Sequence, residues 1–208
     1  MKAAILSRPL GFELYQRIVG APRSKERFVR EYVRARPGER VLDVGCGTGE
    51  LLKWLPAGVA YVGVDIDAAY IERARAKHGD RAEFVCADIS SHPYERESFD
   101  VAIGYGILHH LDDVTCRDAL GRIVLALRRD GKAVFGEPCR TPGQGFVERT
   151  LLDHDRGRYI RTVPEYIDLL SGDFVNVSAE LLHGTYRVPL TVVALHATQR
   201  QVTNSSVR

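Results

Sequence analysis

The feature that most constrains this chain is a glycine-rich turn set directly after a short apolar run. Val41-Leu42-Asp43-Val44 leads straight into Gly45-Cys46-Gly47-Thr48-Gly49. Glycines there let the backbone bend sharply at a strand end and let a ligand approach the main chain with no Cβ in the way. Leu51, Leu52, Trp54 and Leu55 follow and predict the buried side of a helix, whose free N-terminal N–H groups suit an anion. Strand, tight turn and helix in that order predict an open α/β sheet with a ligand at the carboxyl ends of its strands.

The flanking sequence extends the same pattern. Tyr61 to Asp65, Glu83 to Asp88, Phe99 to Gly104 and Lys132 to Gly136 read as further strands. Between them, Ser24 caps a helix bearing Phe28, Val29, Tyr32 and Val33, and Asp67 caps another through Ala76. Asp113 is expected to cap the clearest helix, with Cys116, Leu120, Ile123, Val124 and Leu127 on one face and Gly131 as its left-handed C-cap. Thr162 and Glu165 have the spacing of a capping box. Phe174 to Leu181 and Arg187 to Ala197 can pair as an antiparallel hairpin on the sheet edge. The alternation predicts a mostly parallel sheet covered by helices on both faces.

A length of 208 residues, 45% of them hydrophobic, predicts one domain over residues 1–200. Its expected parts are N-terminal helices and a cap (1–39), a cofactor-binding core (40–136), a polar, irregular substrate or lid insertion (137–161), and a C-terminal helix and hairpin (162–200). A disordered tail over 201–208 is expected to follow. A formal net charge of only +2 provides no strong field for a polyanion, so no nucleic-acid partner is expected. No apolar stretch approaches the roughly 20 residues that span a bilayer, and the N-terminal apolar run breaks too early for a signal peptide. Cysteines at 46, 86, 116 and 139 lack metal or disulfide spacing, which predicts reduced thiols and a cytoplasmic protein. No helix shows a long unexplained apolar stripe, so the oligomeric state is not legible.

Asp65 ends the second strand 20 residues after Gly45, where an acidic side chain accepts hydrogen bonds from ribose hydroxyls. Asp88 is placed at the end of the third strand, on the same edge. Together with the turn they predict an adenosine site. The dinucleotide pattern G-x-G-x-x-G is broken, because Glu50 stands at its third glycine. Asp43 would repel a pyrophosphate but suits an ammonium group. A sulfonium amino-acid adenosine fits these residues, and a dinucleotide does not.

Val41 to Gly49 resembles the first motif of the class I S-adenosylmethionine-dependent methyltransferases nearly letter for letter. Val62-Gly63-Val64-Asp65-Ile66-Asp67 is similar to their second motif and Ala87-Asp88-Ile89 to their third. Phe99-Asp100-Val101 and Gly106-Ile107-Leu108-His109-His110-Leu111 resemble the fourth strand and its exit. Leu127-Arg128-Arg129-Asp130-Gly131-Lys132 replaces the family's L-K-P-G-G turn. The resemblance is strong over residues 40–136. It implies a Rossmann-like α/β fold, a seven-stranded sheet with its last strand antiparallel, and S-adenosyl-L-methionine as cofactor. It places Asp43, Gly45, Cys46, Gly47 and Gly49 at the methionine part, Asp65 at the ribose, Asp88 with the Ile89 main chain at the adenine, and Ile66 among the cofactor-binding residues. Tyr105 and Gly106 are implied beside the transferable methyl.

A hydroxyl acceptor needs its proton removed, and histidine suits that task. His109 and His110 follow the fourth strand; His109 is the first candidate for a base, with pocket lining as the competing role, and His110 the more structural of the two. Arg156, Arg158 and Tyr159 are the expected substrate contacts, the arginines suiting an anionic acceptor. Tyr15, in a segment expected to close over the cofactor, is a further substrate-side candidate. Adjacent Asp112 and Asp113 point in different directions from a helix start, so no metal is expected. The leading function is methylation of a small molecule, with oxygen favoured. The alternatives are a non-catalytic cofactor- or partner-binding protein, then an amino-group or RNA methyltransferase, then a nicotinamide oxidoreductase.

Overall fold

The computed structural model describes residues 20–199. Helix α1 (Ala21–Arg27) continues as a wider π-helical turn over Phe28–Val33, and strand β1 (Arg40–Val44) follows. Next come β2 (Ala60–Asp65), α2 (Ala68–His78), β3 (Glu83–Cys86), β4 (Phe99–Tyr105) and α3 (Asp113–Ala126). The remainder is β5 (Leu127–Pro138), α4 (Phe146–Asp153), α5 (Val163–Ser171), β6 (Asn176–Leu182) and β7 (Val192–Thr198).

The seven strands form one sheet in the order β3-β2-β1-β4-β5-β7-β6. β1 to β5 run parallel, while β7 pairs antiparallel with both β5 and β6, giving the C-terminal hairpin that the sequence predicts. β1 is buried along nearly its whole length, as a central parallel strand covered on both faces must be. Two apolar layers cover the sheet. Leu120, Ile123, Phe135, Tyr166 and Leu170 sit in one, and Phe28, Leu52, Ile71, Phe84 and Ile103 in the other. The order reverses at β1, where neighbouring crossovers leave in opposite directions. A crevice opens there at the carboxyl edge.

Several local expectations are corrected. Ser24 is not an N-cap: α1 begins after Gly20, and the fully buried Ser24 hydroxyl bonds Tyr105 and Thr185 instead. The helix expected after the glycine turn is a single 3-10 turn over Glu50–Lys53, because Pro56 lies too close to allow more. β3 stops at Cys86, so Asp88 lies in the turn beyond it rather than at the strand end. The cap of α3 is Asp112, whose side chain accepts from Thr115 N–H; the first-turn Asp113 is free to pair with Arg161. Gly131 is not a C-cap. Leu127 is already extended and β5 starts there, and a Cβ at Gly131 would stand 2.8 Å from the Arg128 carbonyl oxygen.

The segment 137–161 is not irregular throughout. β5 runs on to Pro138, Glu137 and Cys139 are fully buried, and α4 occupies Phe146–Asp153. The expected capping box of Thr162 and Glu165 is present at α5. The tail over 201–208 lies outside the described residues. No helix among those described is long and apolar enough to cross a membrane.

Candidate active site

The glycine turn is held from both sides. Gly45 and Cys46 N–H both donate to the Val64 carbonyl of β2, at 2.8 and 3.1 Å. Gly45 and Gly47 take positive φ values of 68° and 54°, a region that side chains strain to enter. A Cβ on Gly47 would meet nothing within 4 Å, so this glycine leaves the main chain bare toward open space. The Cys46 side chain turns the other way, packed beneath the turn against Gly63, and burial raises its thiol pKa.

Asp65 binds this turn to β2. One carboxylate oxygen accepts from Gly47 N–H at 2.8 Å, and the other from Asp67 N–H at 2.9 Å. Each oxygen keeps a second lone pair, enough for two ribose hydroxyls. The adjacent Ile66 is 70% exposed, an apolar side chain standing beside a carboxylate with nothing flat against it. Asp88 is exposed, and one of its oxygens accepts from both the N–H and the hydroxyl of Ser90, which lowers its pKa. The Ile89 side chain is buried in the core.

Asp43 is the unusual group. It is fully buried; one oxygen accepts from the Tyr61 hydroxyl at 2.5 Å, while the other, Oδ1, has no hydrogen-bond partner. Burial raises its pKa to about 7, partly opposed by the Tyr61 bond and by the positive charge of buried Lys25. An orphaned buried oxygen is costly and calls for a donor. The ammonium of an amino-acid ligand is such a donor, and the bare glycine turn lies two residues along the chain.

Tyr105 ends β4. Its hydroxyl bonds Ser24 at 2.6 Å and Tyr186 at 3.1 Å, tying α1 and the β6–β7 loop to the carboxyl edge. The turn that follows is fixed by Glu137. This carboxylate is fully buried and accepts from Ile107 and Leu108 N–H at 2.9 Å each, His109 N–H at 3.3 Å and His109 Nδ1 at 2.7 Å. His109 Nε2 faces Asp155 at 3.3 Å. Burial alone would depress the pKa of this imidazole, but its bonds to Asp155 and Glu137 win and carry it up to about 9. A ring with both nitrogens engaged and its charge stabilised holds its proton near neutral pH. His109 is therefore mismatched to the role of a free base. His110, beside it at 4.2 Å between ring centroids, faces solvent; partial burial and the His109 charge lower its pKa.

His110, Leu111, Asp112, Thr115, Arg156, Arg158 and Tyr159 line a cavity of about 330 Å³. The three substrate candidates of the 137–161 segment are thus brought together beside the second histidine. Tyr15 lies outside the described residues. No group of three or more His, Cys, Asp or Glu that could hold a metal occurs among the described residues.

Residues 41–131 match the methyltransferase-domain family. The matched stretch runs from β1 through the glycine turn and the β4 exit. Over these residues, just under half of its length, the chain is a class I S-adenosylmethionine-dependent methyltransferase domain. Among its methyltransferase relatives, 27-O-demethylrifamycin SV methyltransferase of Amycolatopsis mediterranei is 33% identical over 138 residues, covering 57% of this chain and 51% of that protein. The 24-methylenesterol C-methyltransferase 2 of Oryza sativa is 33% identical over 124 residues, covering 56% and 34%. Phosphoethanolamine N-methyltransferase 2 of Haemonchus contortus, solved with phosphomonomethylethanolamine and S-adenosylhomocysteine, superposes with a TM-score of 0.76. It is 16% identical, with 94% of this chain and 58% of that one covered, and so shows a shared fold. The methyltransferase matches take in roughly a third to three fifths of the length of the first curated relatives.

Sequence reasoning missed Glu137, Asp155, Arg161 and Lys25. None carries a local motif. Arg161, largely buried, donates to the Leu108, Leu111 and Tyr159 carbonyls and pairs with Asp113, partners up to 53 residues away.

Proposed function

We propose that this methyltransferase transfers a methyl group from S-adenosyl-L-methionine to a small-molecule acceptor. The observation that carries the reading is the unpartnered Oδ1 of buried Asp43 beside a glycine turn whose main chain is bare. In this reading Asp43 takes the cofactor's ammonium. The main chain of Gly45, Cys46, Gly47 and Gly49 receives the methionine part, with Lys25 near enough to Asp43 to complement a carboxylate. Asp65 takes the ribose hydroxyls, Ile66 covers the adenine ring, and Asp88 with the Ile89 main chain meets its edge.

When bound, the cofactor supplies an activated methyl group to in-line displacement. The chain's part is to align the acceptor and exclude water, and positioning of that kind can supply several of the ~7–11 kcal/mol available to well-oriented reactions. Tyr105 and Gly106 frame the methyl position from the end of β4. The acceptor occupies the cavity of His110, Arg156, Arg158 and Tyr159, where the arginines suit an anionic group. An oxygen acceptor would lose its proton to His110 or to solvent, with His109 holding the turn in place. The relatives' names span oxygen, carbon and nitrogen acceptors, and the solvent-facing histidine favours oxygen here. Neither a nucleic acid nor a membrane is part of this reading, and a cytoplasmic location accords with it.

Transfer of a radiolabelled methyl group to a small-molecule extract tests it. Labelled product that disappears in Asp65→Ala supports the reading. Tight cofactor binding with no labelled product from any extract favours a non-catalytic binding protein.

A further inference from the structure

The segment after α4 returns to the β4 exit turn and fastens to it at several points. Tyr159 N–H donates to the His109 carbonyl at 3.0 Å, and Arg161 reaches the Leu108 and Leu111 carbonyls at 3.0 and 2.8 Å. Gly157 lies flat on the imidazole: a Cβ there would stand 1.8 Å from His109 Cδ2. Gly157 N–H in turn donates to the same Asp155 oxygen that faces His109 Nε2. On the far side of the ring stands Glu137, fixed at the end of β5 and already holding three main-chain N–H groups of the turn.

We propose that His109 is a positioning residue, a clasp between Glu137 and Asp155 that draws segment 155–161 onto the β4 exit turn and so assembles the acceptor cavity. The cavity's two halves come from the two clasped segments: His110, Leu111, Asp112 and Thr115 from one side, Arg156, Arg158 and Tyr159 from the other. The inference rests on the reading of that cavity as the acceptor site. Neutralising the clasp removes the attraction that holds the halves together, while the glycine turn and Asp65 stay in place.

The charged groups around the imidazole are Glu137 from β5, Asp155 and Arg161 from the returning segment, and His110 on its own turn, with Arg156 acting on His110. The two carboxylates outweigh the cations, so the ring keeps its proton well above the ordinary histidine range. Asp155 is correspondingly held below the usual carboxylate range: burial would raise it, but its bonds to His109 and Gly157 prevail.

The test combines NMR titration of the His109 ring with hydrogen exchange over residues 155–161, on the full chain with S-adenosylhomocysteine bound. Asp155→Asn is expected to lower the His109 midpoint by about one pH unit or more. It should also speed exchange of the Gly157 and Tyr159 amides by about tenfold or more. Asp155→Glu, which keeps the charge, should hold the midpoint high. Asp155 is partly exposed and Asn keeps its size, so no core side chain is removed, and Glu137→Gln gives a second reading from the buried side. A His109 midpoint at the ordinary value in the unmodified chain, or unchanged exchange in Asp155→Asn, overturns the clasp. Calorimetric titration of the same variants with S-adenosylhomocysteine reports the cofactor site separately. Normal binding with a failed clasp removes only this inference, whereas lost binding in the unmodified chain removes the functional reading.

Discussion

Ile107 occupies the space that a side chain on Gly45 would need: its Cδ1 and Cγ1 lie 2.6 Å from where that Cβ would stand. The Ile107 N–H is itself held by Glu137. The glycine turn after β1 is therefore packed against the exit of β4, which the end of β5 holds in turn.

Gly45→Ala meets both a positive φ and this contact. The variant should lose about 1–3 kcal/mol of stability in urea unfolding, from overpacking and backbone strain together. Its affinity for S-adenosylhomocysteine should fall with the displaced turn. Unchanged stability and affinity would show that the turn yields freely.

Asp43 links cofactor binding to pH. Its folded pKa of about 7 lies above the ordinary 3.8, so the folded chain binds a proton that the unfolded chain has released between those values. Its contribution to stability therefore falls as pH rises from about 4 to about 7. A ligand ammonium favours the carboxylate, so binding at pH 6.5 should release protons. Calorimetry in buffers of different ionisation heat measures that release, and Asp43→Asn should abolish it.

Glu137→Ala strips the acceptor from three main-chain N–H groups and from a charged imidazole. Loss of one partner of a buried, hydrogen-bonded ion pair costs about 3–5 kcal/mol, and the urea midpoint should fall accordingly. Glu137→Gln keeps an acceptor oxygen and should cost less, about 1–3 kcal/mol.

His109 gives a pH dependence of the same sign, in a higher window. Its folded pKa of about 9 lies above the ordinary 6.5, so its stabilising contribution is complete below 6.5 and is lost as pH rises through about 9. Urea midpoints at pH 6, 8 and 10 should decline across that window, and His109→Asn should flatten the decline.

The parallel core was legible because β1, β2 and β4 are short apolar runs and because the glycine turn and Asp65 stand at a fixed separation. The hairpin was legible from two apolar runs close in sequence. What failed was local. Asp112 and Asp113 can each cap a helix, and only the distant Arg161 decides which one is otherwise engaged. Glu137 precedes a proline in a stretch that looks polar, and its burial depends on partners 28 to 30 residues upstream. His109 looked like a base because its type and place fit one, while the two carboxylates that occupy its ring lie on other elements.

Calorimetric titration of the chain with S-adenosylhomocysteine, set beside NADH, tests the central claim most directly. The account predicts one saturable site for the former, weakened in Asp65→Ala by about tenfold or more for the lost charged hydrogen bonds, and no heat from the dinucleotide. Binding of NADH, or no uptake of the sulfur ligand by the unmodified chain, would contradict it.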